Sequence, residues 1–337
     1  MSKVSLQQSR ITASVRRAGK ALAFAAAIAL AMFLTQMAHG QTYTIVYSFS
    51  GVDGIGPGSS LVRDADGNLY GVSFNGDLQN CYGGCGGVYK LDPTGRLTVL
   101  YGFQGAPDGA NPVGTVLDAK GNLYGTTQVG GSGTSQACSG GCGTVFKLAT
   151  TGKEKVLHSF AGPPSDGFDP YARPIVDSKG NIYGTTLYGG PSGAFGNPGE
   201  GTVFKVNASG KETVLYSFTG QADGGLPWAG LLLHDGVLYG TTSRGGTGPC
   251  GDIFGTGCGT VFKLEGKKET VLYSFNNEAD GGYPLASLIS DKAGNLYGTT
   301  AYGGDLNCTQ PPARLPLSHP PSHRWNSHRR AAEPFSK

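Results

Sequence analysis

The sequence has 337 residues, and 58 Gly with 19 Pro make up almost a quarter of it. Only 15% of the residues are charged and 10% are aromatic, which argues against a charge-rich disordered chain. The Gly residues do not follow the Gly-X-Y period of collagen, so a collagen-like chain is excluded as well. Ten of the 26 Lys and Arg lie before residue 21 or after residue 307. The part between Gln41 and Asn307 therefore has 16 basic and 22 acidic residues, a net charge of −6. This negative charge favours neither nucleic acid nor an anionic membrane as a partner.

The chain begins with the pattern of a secretory signal peptide. Residues 1–20 contain five basic and no acidic side chains, and residues 21–34 are an uninterrupted apolar run of 14. This run is shorter than the roughly 20 residues of a spanning helix. Ala38 and Gly40 place small residues ahead of a cut before Gln41. We predict that residues 1–40 direct export and that no integral membrane segment follows; an uncleaved interfacial helix is the alternative.

One unit is repeated five times after this signal. Tyr-Ser-Phe returns with variations every 54 to 58 residues, at 47–49, 101–103, 158–160, 216–218 and 273–275. Leu-Tyr-Gly recurs, once with Ile, at 69–71, 123–125, 182–184, 238–240 and 296–298. Gly-Thr-Val-Phe-Lys occurs at 143–147, 201–205 and 259–263. The element Asp-Gly-x-x-Pro marks units that start near 53, 108, 166, 223 and 280, and markers with one period define tandem repeats.

Each unit is predicted to contain four short antiparallel strands. In the fourth copy these are 229–234, 237–243, 259–264 and 269–275, all rich in aromatic and β-branched residues. Asp235-Gly236 supplies a two-residue hairpin turn, and other copies use Asp-x-x-Gly-Asn. Four strands in a repeat of this length are typical of a β-propeller blade. We predict an all-β propeller of about five blades, with an open β-solenoid as the alternative.

The two ends of the repeat region are predicted to complete one another. Residues 42–49 match only the fourth strand of a unit, and residues 285–289 and 296–300 match only the first two strands. Pairing of the N-terminal strand into this incomplete last blade would close the propeller and leave no exposed sheet edge. The Gly residues are expected to form turns after Asp and to interrupt strands after Tyr.

The combined markers resemble a known repeat. Val-Leu-Tyr-Ser-Phe at 214–218, Asp-Gly-x-x-Pro, Asn-Leu-Tyr-Gly-Thr-Thr at 295–300 and Gly-Cys-Gly-Thr-Val-Phe-Lys-Leu at 257–264 are similar to the GloVer tandem repeat of exported bacterial proteins. These are also called choice-of-anchor tandem repeat proteins, and the resemblance covers residues 42–304. It implies an exported, surface-associated protein, commonly held by a C-terminal anchor, and it implies no catalytic residue.

The C-terminal tail departs from the repeat. After Cys308 the expected third strand is replaced by residues 309–337, which contain six Pro, three His and four Arg and no repeat marker. We interpret residues 308–337 as an irregular, frameshifted or truncated end, in which case the natural parent has more blades. For that reason the tail histidines at 319, 323 and 328 are not assigned to a metal site.

The seven Cys share the loop between the second and third strands of the unit. Six stand as local pairs, and the third copy lacks both members; the pairs are Cys81–Cys85, Cys138–Cys142 and Cys250–Cys258. Since the two Cys of a repeat are present or absent together, we predict local disulfides formed in an oxidising compartment. A zinc site would need four ligands close together, whereas these Cys pairs lie on separate blades. Cys308 is left unpaired.

The Asp of Asp-Gly-x-x-Pro has two interpretations. A ring of carboxylates on one face would bind Ca²⁺ or a cationic ligand, whereas a turn cap would serve the backbone alone. We favour the turn cap because a residue present in every copy is required by the repeated backbone, and we predict no cofactor. The five residues are Asp53, Asp108, Asp166, Asp223 and Asp280.

Catalysis would need groups that break the repeat, such as two carboxylates about 5–10 Å apart. Four carboxylates break it, with no sign that they converge: Asp169, Glu200, Asp252 and Glu278. His158 replaces the Tyr of Tyr-Ser-Phe, which favours aromatic packing over a role as a base. The sequence has no nucleophile elbow, P-loop or dinucleotide fingerprint, so no catalytic or cofactor-binding residue is assigned.

These observations predict an exported, non-catalytic propeller that binds an extracellular glycan or protein through loops on a rigid scaffold. Candidate stacking residues are Tyr188, Phe195, Trp228 and Tyr302, with packing in the core or channel as an equal alternative. A carbohydrate-active or lactone-cleaving propeller enzyme and a purely structural envelope protein are the other interpretations.

Overall fold

The computed structural model describes residues 43–304 apart from positions 52, 59, 77–83, 134, 192–197, 249 and 251–256. These residues form β-strands joined by turns and irregular segments, and none of them is helical. A search of them finds no helix able to span a bilayer. The predicted signal peptide at 1–40 and the tail at 308–337 lie outside this described part.

The first two repeats each form one antiparallel sheet. The first sheet contains β1 (Ile55–Pro57), β2 (Val62–Arg63), β3 (Leu69–Asn75), β4 (Gly87–Leu91) and β5 (Leu97–Gly102). In this sheet β1 and β2 both pair with β3, and β4 and β5 follow in order. The second sheet pairs in chain order and contains β6 (Gly109–Leu117), β7 (Leu123–Gly130), β8 (Thr144–Leu148) and β9 (Glu154–Ser159).

The later repeats follow the same plan. The third contains β10 (Gly167–Phe168), β11 (Ile175–Val176), β12 (Ile182–Thr186), β13 (Tyr188–Gly189), β14 (Thr202–Val206) and β15 (Glu212–Ser217). Here β10 pairs with β13, beside the four-stranded sheet β11-β12-β14-β15. The fourth contains β16 (Leu232–His234), β17 (Val237–Thr242), β18 (Thr260–Glu265) and β19 (Lys268–Ser274), and the fifth contributes the hairpin β20 (Ile289–Ser290) and β21 (Leu296–Tyr297).

The all-β class and the antiparallel sheet in each repeat are thus confirmed, but the predicted N-terminal strand is wrong. Residues 43–50 form no strand, and the β20–β21 hairpin stays two-stranded within the described residues. The segment is instead fixed by side chains, since the ring of Phe49 packs 5.1 Å from that of Tyr89 in the first sheet. The Tyr47 hydroxyl donates a hydrogen bond to Asp53. These contacts tie residues 47–49 to the first sheet.

The hydrophobic core lies between successive sheets. In three successive pairs of repeats, the Phe of the Tyr-Ser-Phe marker packs edge to face against the Phe of the next repeat's Thr-Val-Phe, with ring centroids 5.0–5.1 Å apart, and all of these rings are buried. The pairs are Phe103–Phe146, Phe160–Phe204 and Phe218–Phe262. Because each repeat buries its aromatic residue in its neighbour, the repeats depend on one another for their cores.

The repeated threonines and glycines have roles inside the sheets. The hydroxyls of Thr186 and Thr202 are hydrogen-bonded at 2.8 Å in the buried part of the third sheet, and equivalent pairs occur in the second and fourth. The prediction that Tyr-Gly interrupts strands is wrong, because Gly184 lies within β12. A Cβ atom there would lie 2.5 Å from Cζ of Phe204, so this Gly provides the space that the buried ring occupies.

Candidate functional site

The Asp of each Asp-Gly-x-x-Pro element fastens its turn to the preceding marker. Asp223 accepts hydrogen bonds from the Tyr216 hydroxyl at 3.0 Å and from the Thr219 backbone N–H at 2.9 Å. Equivalent contacts from a marker side chain and a backbone amide reach the other four, Asp53, Asp108, Asp166 and Asp280. These contacts support the turn-cap interpretation, and Ca²⁺ binding by the five carboxylates stays the untested alternative.

Two of the predicted disulfides, Cys138–Cys142 and Cys250–Cys258, are present. Cys85 is disulfide-bonded as well, while Cys81, its predicted partner, lies outside the described residues, as does Cys308. The two described bonds each close the loop between the second and third main strands of one repeat. Disulfides of this kind are compatible with an oxidising compartment.

The carboxylates that break the repeat occupy different surroundings. Asp169 is partly buried, and burial raises its pKa to about 6. Glu200 is only 2% exposed, and its side chain lies against Gly220. Glu278 is exposed, and Asp252 lies outside the described residues. Nothing in the described part of the chain makes two of these groups a catalytic pair.

His158 packs in the way that its position in the repeat predicts. Its ring lies edge to face on Phe160 with centroids 4.9 Å apart, as the marker tyrosines lie on their phenylalanines. The expected aromatic packing is therefore confirmed. In addition, Nε2 of His158 lies 3.2 Å from Oδ2 of Asp166, where the other repeats place a tyrosine hydroxyl.

An aromatic pair is exposed at equivalent positions of the third and fourth repeats. Tyr171 and Trp228 each follow the Pro of Asp-Gly-x-x-Pro, and their ring centroids lie 4.6 Å apart at an interplanar angle of 73°. Tyr171 is 40% exposed and Trp228 is partly exposed. At the same position after Pro, the fifth repeat has the exposed Leu285 and the second repeat has the buried Val113. Trp228 is among the stacking residues that the sequence indicates, whereas Tyr171 is not, although its position after Pro, shared with Trp228, is a signal that would have revealed it.

Buried threonines hold the backbone on which this pair stands. The Thr126 hydroxyl of the second repeat donates to the carbonyl of Ala172 at 3.1 Å, and the Thr185 hydroxyl of the third donates to the carbonyl of Ala229 at 3.1 Å. A Cβ atom at Gly230 would lie 2.9 Å from a carbonyl oxygen of the third repeat. The segments that carry the two aromatic residues are therefore packed side by side and fixed by hydrogen bonds.

The other predicted stacking residues differ in their availability. Tyr188 is stacked on Phe168 with centroids 5.3 Å apart, which covers one face of its ring. Tyr302 is 64% exposed, and Phe195 lies outside the described residues. Tyr188 therefore serves packing, while Tyr302 remains accessible near the end of the described chain.

Two equivalent grooves lie between neighbouring repeats on another part of the surface. One has a volume of about 430 Å³ and contains Tyr124 and Lys147, and the other has about 610 Å³ and contains Tyr183 and Lys205. In each groove the lysine Nζ lies 5.4–5.5 Å from the centre of the tyrosine ring. Because the grooves recur with the repeat, their shape follows from the repeated backbone.

Three half-buried carboxyl groups lie at or next to the start of the fourth strands, and the sequence patterns considered above do not single them out. Burial, and then the charge of the preceding Asp-Gly-x-x-Pro aspartate, raises the pKa of each to about 7; they are Glu154, Glu212 and Glu269. Oε1 of each is buried and has no hydrogen-bond partner among the described residues. The first repeat has Leu97 at this place, so recurrence of Glu in three other copies was the available signal.

The raised pKa of Glu154 predicts a specific pH dependence of stability. The ordinary pKa of a Glu carboxyl group in the unfolded chain is 4.5, so between pH 4.5 and about 7 the folded protein keeps the Glu154 proton that the unfolded chain loses. The contribution of this group to the free energy of unfolding is therefore complete below pH 4.5 and is lost as pH rises through about 7. Glu154→Gln is expected to leave the free energy of unfolding unchanged at pH 4.5 and to raise it by about 1 kcal/mol at pH 8, because the half-buried group is partly screened by solvent.

Urea unfolding of both proteins at the two pH values measures this difference. Glu278→Gln, which changes an exposed carboxylate, serves as the control and is expected to alter neither value. An effect of Glu154→Gln that is the same at pH 4.5 and pH 8 would contradict the prediction.

A family model described as the Gloeobacter/Verrucomicrobia repeat matches residues 31–254 and again residues 132–309. These segments contain all of the repeat markers noted in the sequence, and the overlap of the two matches reflects the tandem arrangement. No match is found among curated proteins.

Solved structures give weaker similarities. A gluconolactonase of Xanthomonas campestris is 16% identical, with a TM-score of 0.44 over 74% of this chain and 72% of that one. A putative oxidoreductase (glucose dehydrogenase) of Thermus thermophilus is 13% identical, with a TM-score of 0.45 over 74% and 77%. A xylan β-1,4-xylosidase of Bacillus halodurans is 15% identical, with a TM-score of 0.39 over 73% and 49%. At these values no activity is transferred to this chain.

Proposed function

The chain belongs to the Gloeobacter/Verrucomicrobia repeat family, and from this premise we propose that it is an exported, non-catalytic β-propeller protein that binds a glycan at or outside the cell surface. The observation that carries the proposal is the aromatic pair of the exposed Tyr171 and the partly exposed Trp228. This pair breaks the repeat, so the repeated backbone does not require it. Such side chains on a rigid scaffold are where binding usually resides.

The arrangement of the repeats supports the propeller. Each complete repeat is an antiparallel sheet that shares its core with the next, as blades do. The segments after the recurring Pro of each element lie side by side, with Gly230 between residues of the third and fifth repeats. In a propeller these segments are the inner strands around the central axis. The aromatic pair would then stand near the mouth of the central channel.

Glycan recognition suits the chemistry of this surface. The apolar C–H face of a sugar ring packs on an aromatic ring, and two rings at 73° present faces in two directions. The Tyr hydroxyl and the Trp N–H add hydrogen-bonding groups at the edges of that surface. Arg173, two residues beyond Tyr171, is exposed and supplies a further donor fork.

Export agrees with the N-terminal sequence and with the disulfides. The basic residues, the apolar run and the small residues before Gln41 form a signal pattern, and disulfides persist in oxidising compartments. We therefore place the mature protein in the periplasm, at the cell surface or in the medium.

The enzyme alternative is favoured by one group, Asp169. Its carboxyl group is partly buried, has a pKa raised to about 6 by burial, and lies two residues before Tyr171. A carboxyl group of this kind is protonated in part near neutral pH and is able to act as a general acid. The proposal of binding rests instead on the aromatic pair Tyr171–Trp228.

Binding is tested with the full chain on a glycan array, followed by titration of the glycans that bind. Tyr171→Ala and Trp228→Ala are each expected to weaken binding at least about tenfold, as removal of an aromatic anchor does. Leu285→Ala is the matched control, because Leu285 occupies the equivalent exposed position in the fifth repeat. It is expected to change affinity less than about twofold.

The outcomes separate the interpretations. Unchanged affinity in both aromatic variants, or no glycan bound at all, would contradict the proposal. Turnover of a bound glycan or of a lactone, if abolished by Asp169→Asn, would establish the enzyme alternative instead.

A further inference from the structure

The three junctions between the first and fourth repeats each bring together three side chains from separate elements. They are the marker residue (Tyr or His), the Asp of Asp-Gly-x-x-Pro and the Glu at or next to the start of the following repeat's fourth strand. Tyr216 donates to Asp223 at 3.0 Å, and burial followed by the charge of Asp223 raises the pKa of Glu269. The same arrangement is formed by Tyr101, Asp108 and Glu154.

One junction differs by a single residue, because His158 stands where the others have Tyr. One ligand atom from each of His158, Asp166 and Glu212 lies within 4.8 Å of the other two, and the His158 Nε2–Asp166 Oδ2 distance is 3.2 Å. The residues come from β9, the loop after it and β15. The His158 and Asp166 side chains are 18% and 11% exposed, so an ion is able to reach them from solvent.

The histidine changes what the junction is able to bind. A tyrosine hydroxyl keeps its proton at neutral pH, and burial raises the pKa of Tyr101 and Tyr216 further. A neutral imidazole instead offers a nitrogen lone pair. One imidazole nitrogen and two carboxylate oxygens suit a divalent transition metal, with bonds of about 2.0–2.2 Å to Zn²⁺ and donor atoms about 3.4 Å apart in a tetrahedral site.

The surroundings already orient these ligands. Asp166 accepts hydrogen bonds from the backbone N–H groups of Ala161 at 2.8 Å and of Gly167 at 2.6 Å, which fix its carboxylate. Oε1 of Glu212 is buried without a hydrogen-bond partner, so an acceptor stays unsatisfied. Lys267 is near enough for its charge to act on Glu212 and competes with a cation there. Oε1 of Glu154 and of Glu269 likewise has no hydrogen-bond partner among the described residues. The imidazole of His158 is therefore the feature that distinguishes this junction from the other two.

We propose that His158, Asp166 and Glu212 form a binding site for a divalent transition-metal ion, with Zn²⁺ the best fit to the donor set. The ion replaces the hydrogen bond between His158 and Asp166, and the neutral imidazole binds through Nε2 with its proton on Nδ1. It joins β9 of the second repeat to β15 of the third, the repeat that lacks the paired Cys. The site therefore acts as a cross-link between repeats.

Zn²⁺ titration of the metal-free full chain with intact disulfides tests the site, with Co²⁺ absorption as a second readout of coordination. His158→Tyr restores the residue of the other repeats and is expected to remove one bound equivalent or weaken it at least about tenfold. Glu212→Leu, which copies Leu97 of the first repeat, is expected to do the same. Comparison with each variant separates this site from the tail histidines, which all three proteins share.

The reciprocal variant Tyr216→His places an imidazole beside Asp223 and Glu269 and is expected to add one equivalent of Zn²⁺. Its gain, together with loss in His158→Tyr, would establish that the histidine makes the site. Identical Zn²⁺ stoichiometry and affinity in the wild type, His158→Tyr and Glu212→Leu would overturn the proposal.

Discussion

Phe160→Ala is expected to lower the free energy of unfolding by about 3–5 kcal/mol, the largest single effect that the fold predicts. The ring is completely buried and lies between His158 of its own marker and Phe204 of the next repeat, with centroids 4.9 and 5.0 Å away. Its removal leaves a cavity at the interface of two sheets, which the fixed strands on either side are unable to fill. Urea unfolding followed by far-UV circular dichroism measures the loss.

The same measurement on Leu285→Ala provides the control. That side chain is 49% exposed, and its truncation is expected to change the free energy of unfolding by less than about 0.5 kcal/mol. A loss below about 1 kcal/mol for Phe160→Ala would show that the inter-repeat ring is not a principal part of the core.

Gly184→Ala is expected to destabilise the protein by about 3 kcal/mol through overpacking. The added Cβ atom would lie 2.5 Å from Cζ and 2.9 Å from Cε1 of the buried Phe204 ring. Neither the ring nor β12 is able to move without disturbing the core between the third repeat and its neighbours. The change in urea midpoint at constant slope measures the effect.

Gly140→Ala is the matched control, since no atom lies within 4 Å of the Cβ position at Gly140. It is expected to be neutral within about 0.5 kcal/mol. Combining Gly184→Ala with Phe204→Leu should recover part of the loss, because the two positions occupy the same space. Additive effects in this double variant would argue against the clash as the cause.

The sequence specified the local elements well because their causes are local. Alternation of aromatic and β-branched residues, with Asp-Gly and Asp-x-x-Gly-Asn turns between them, predicted the four strands of each repeat. In the fourth repeat the observed strands, such as Val237–Thr242, differ from the predicted ranges by a few residues at most. Pairing of Cys within one loop was also predictable, because it depends only on short spacing.

Roles that depend on side-chain contacts between separate strands or segments were less visible in the sequence. The glycine of Leu-Tyr-Gly was expected to interrupt a strand, yet Gly184 lies inside one because a ring from the adjacent strand needs the space. Residues 47–49 were expected to form a strand, yet Phe49 is held by its ring against Tyr89. In both cases a side-chain contact between distant positions decided the outcome.

The candidate sites divide in the same way. Asp223 and its equivalents were interpreted as turn caps from their recurrence, and their hydrogen bonds support that interpretation. Tyr171 and Glu212 were not predicted from the sequence. Tyr171 is recognisable as a site residue only from its contact with Trp228, and Glu212 only from its position near His158 and Asp166.

By itself, the sequence determined the repeat, its strands, its turns and its paired cysteines, because a short period and local turn chemistry leave few alternatives for the backbone. Only the tertiary structure decided which departures from the repeat meet in space. Tyr171 and Trp228 are 57 residues apart and His158 and Glu212 are 54 apart, so their contacts follow from how one sheet packs on the next. That packing is set by buried rings and hydrogen bonds between repeats, which no local pattern encodes.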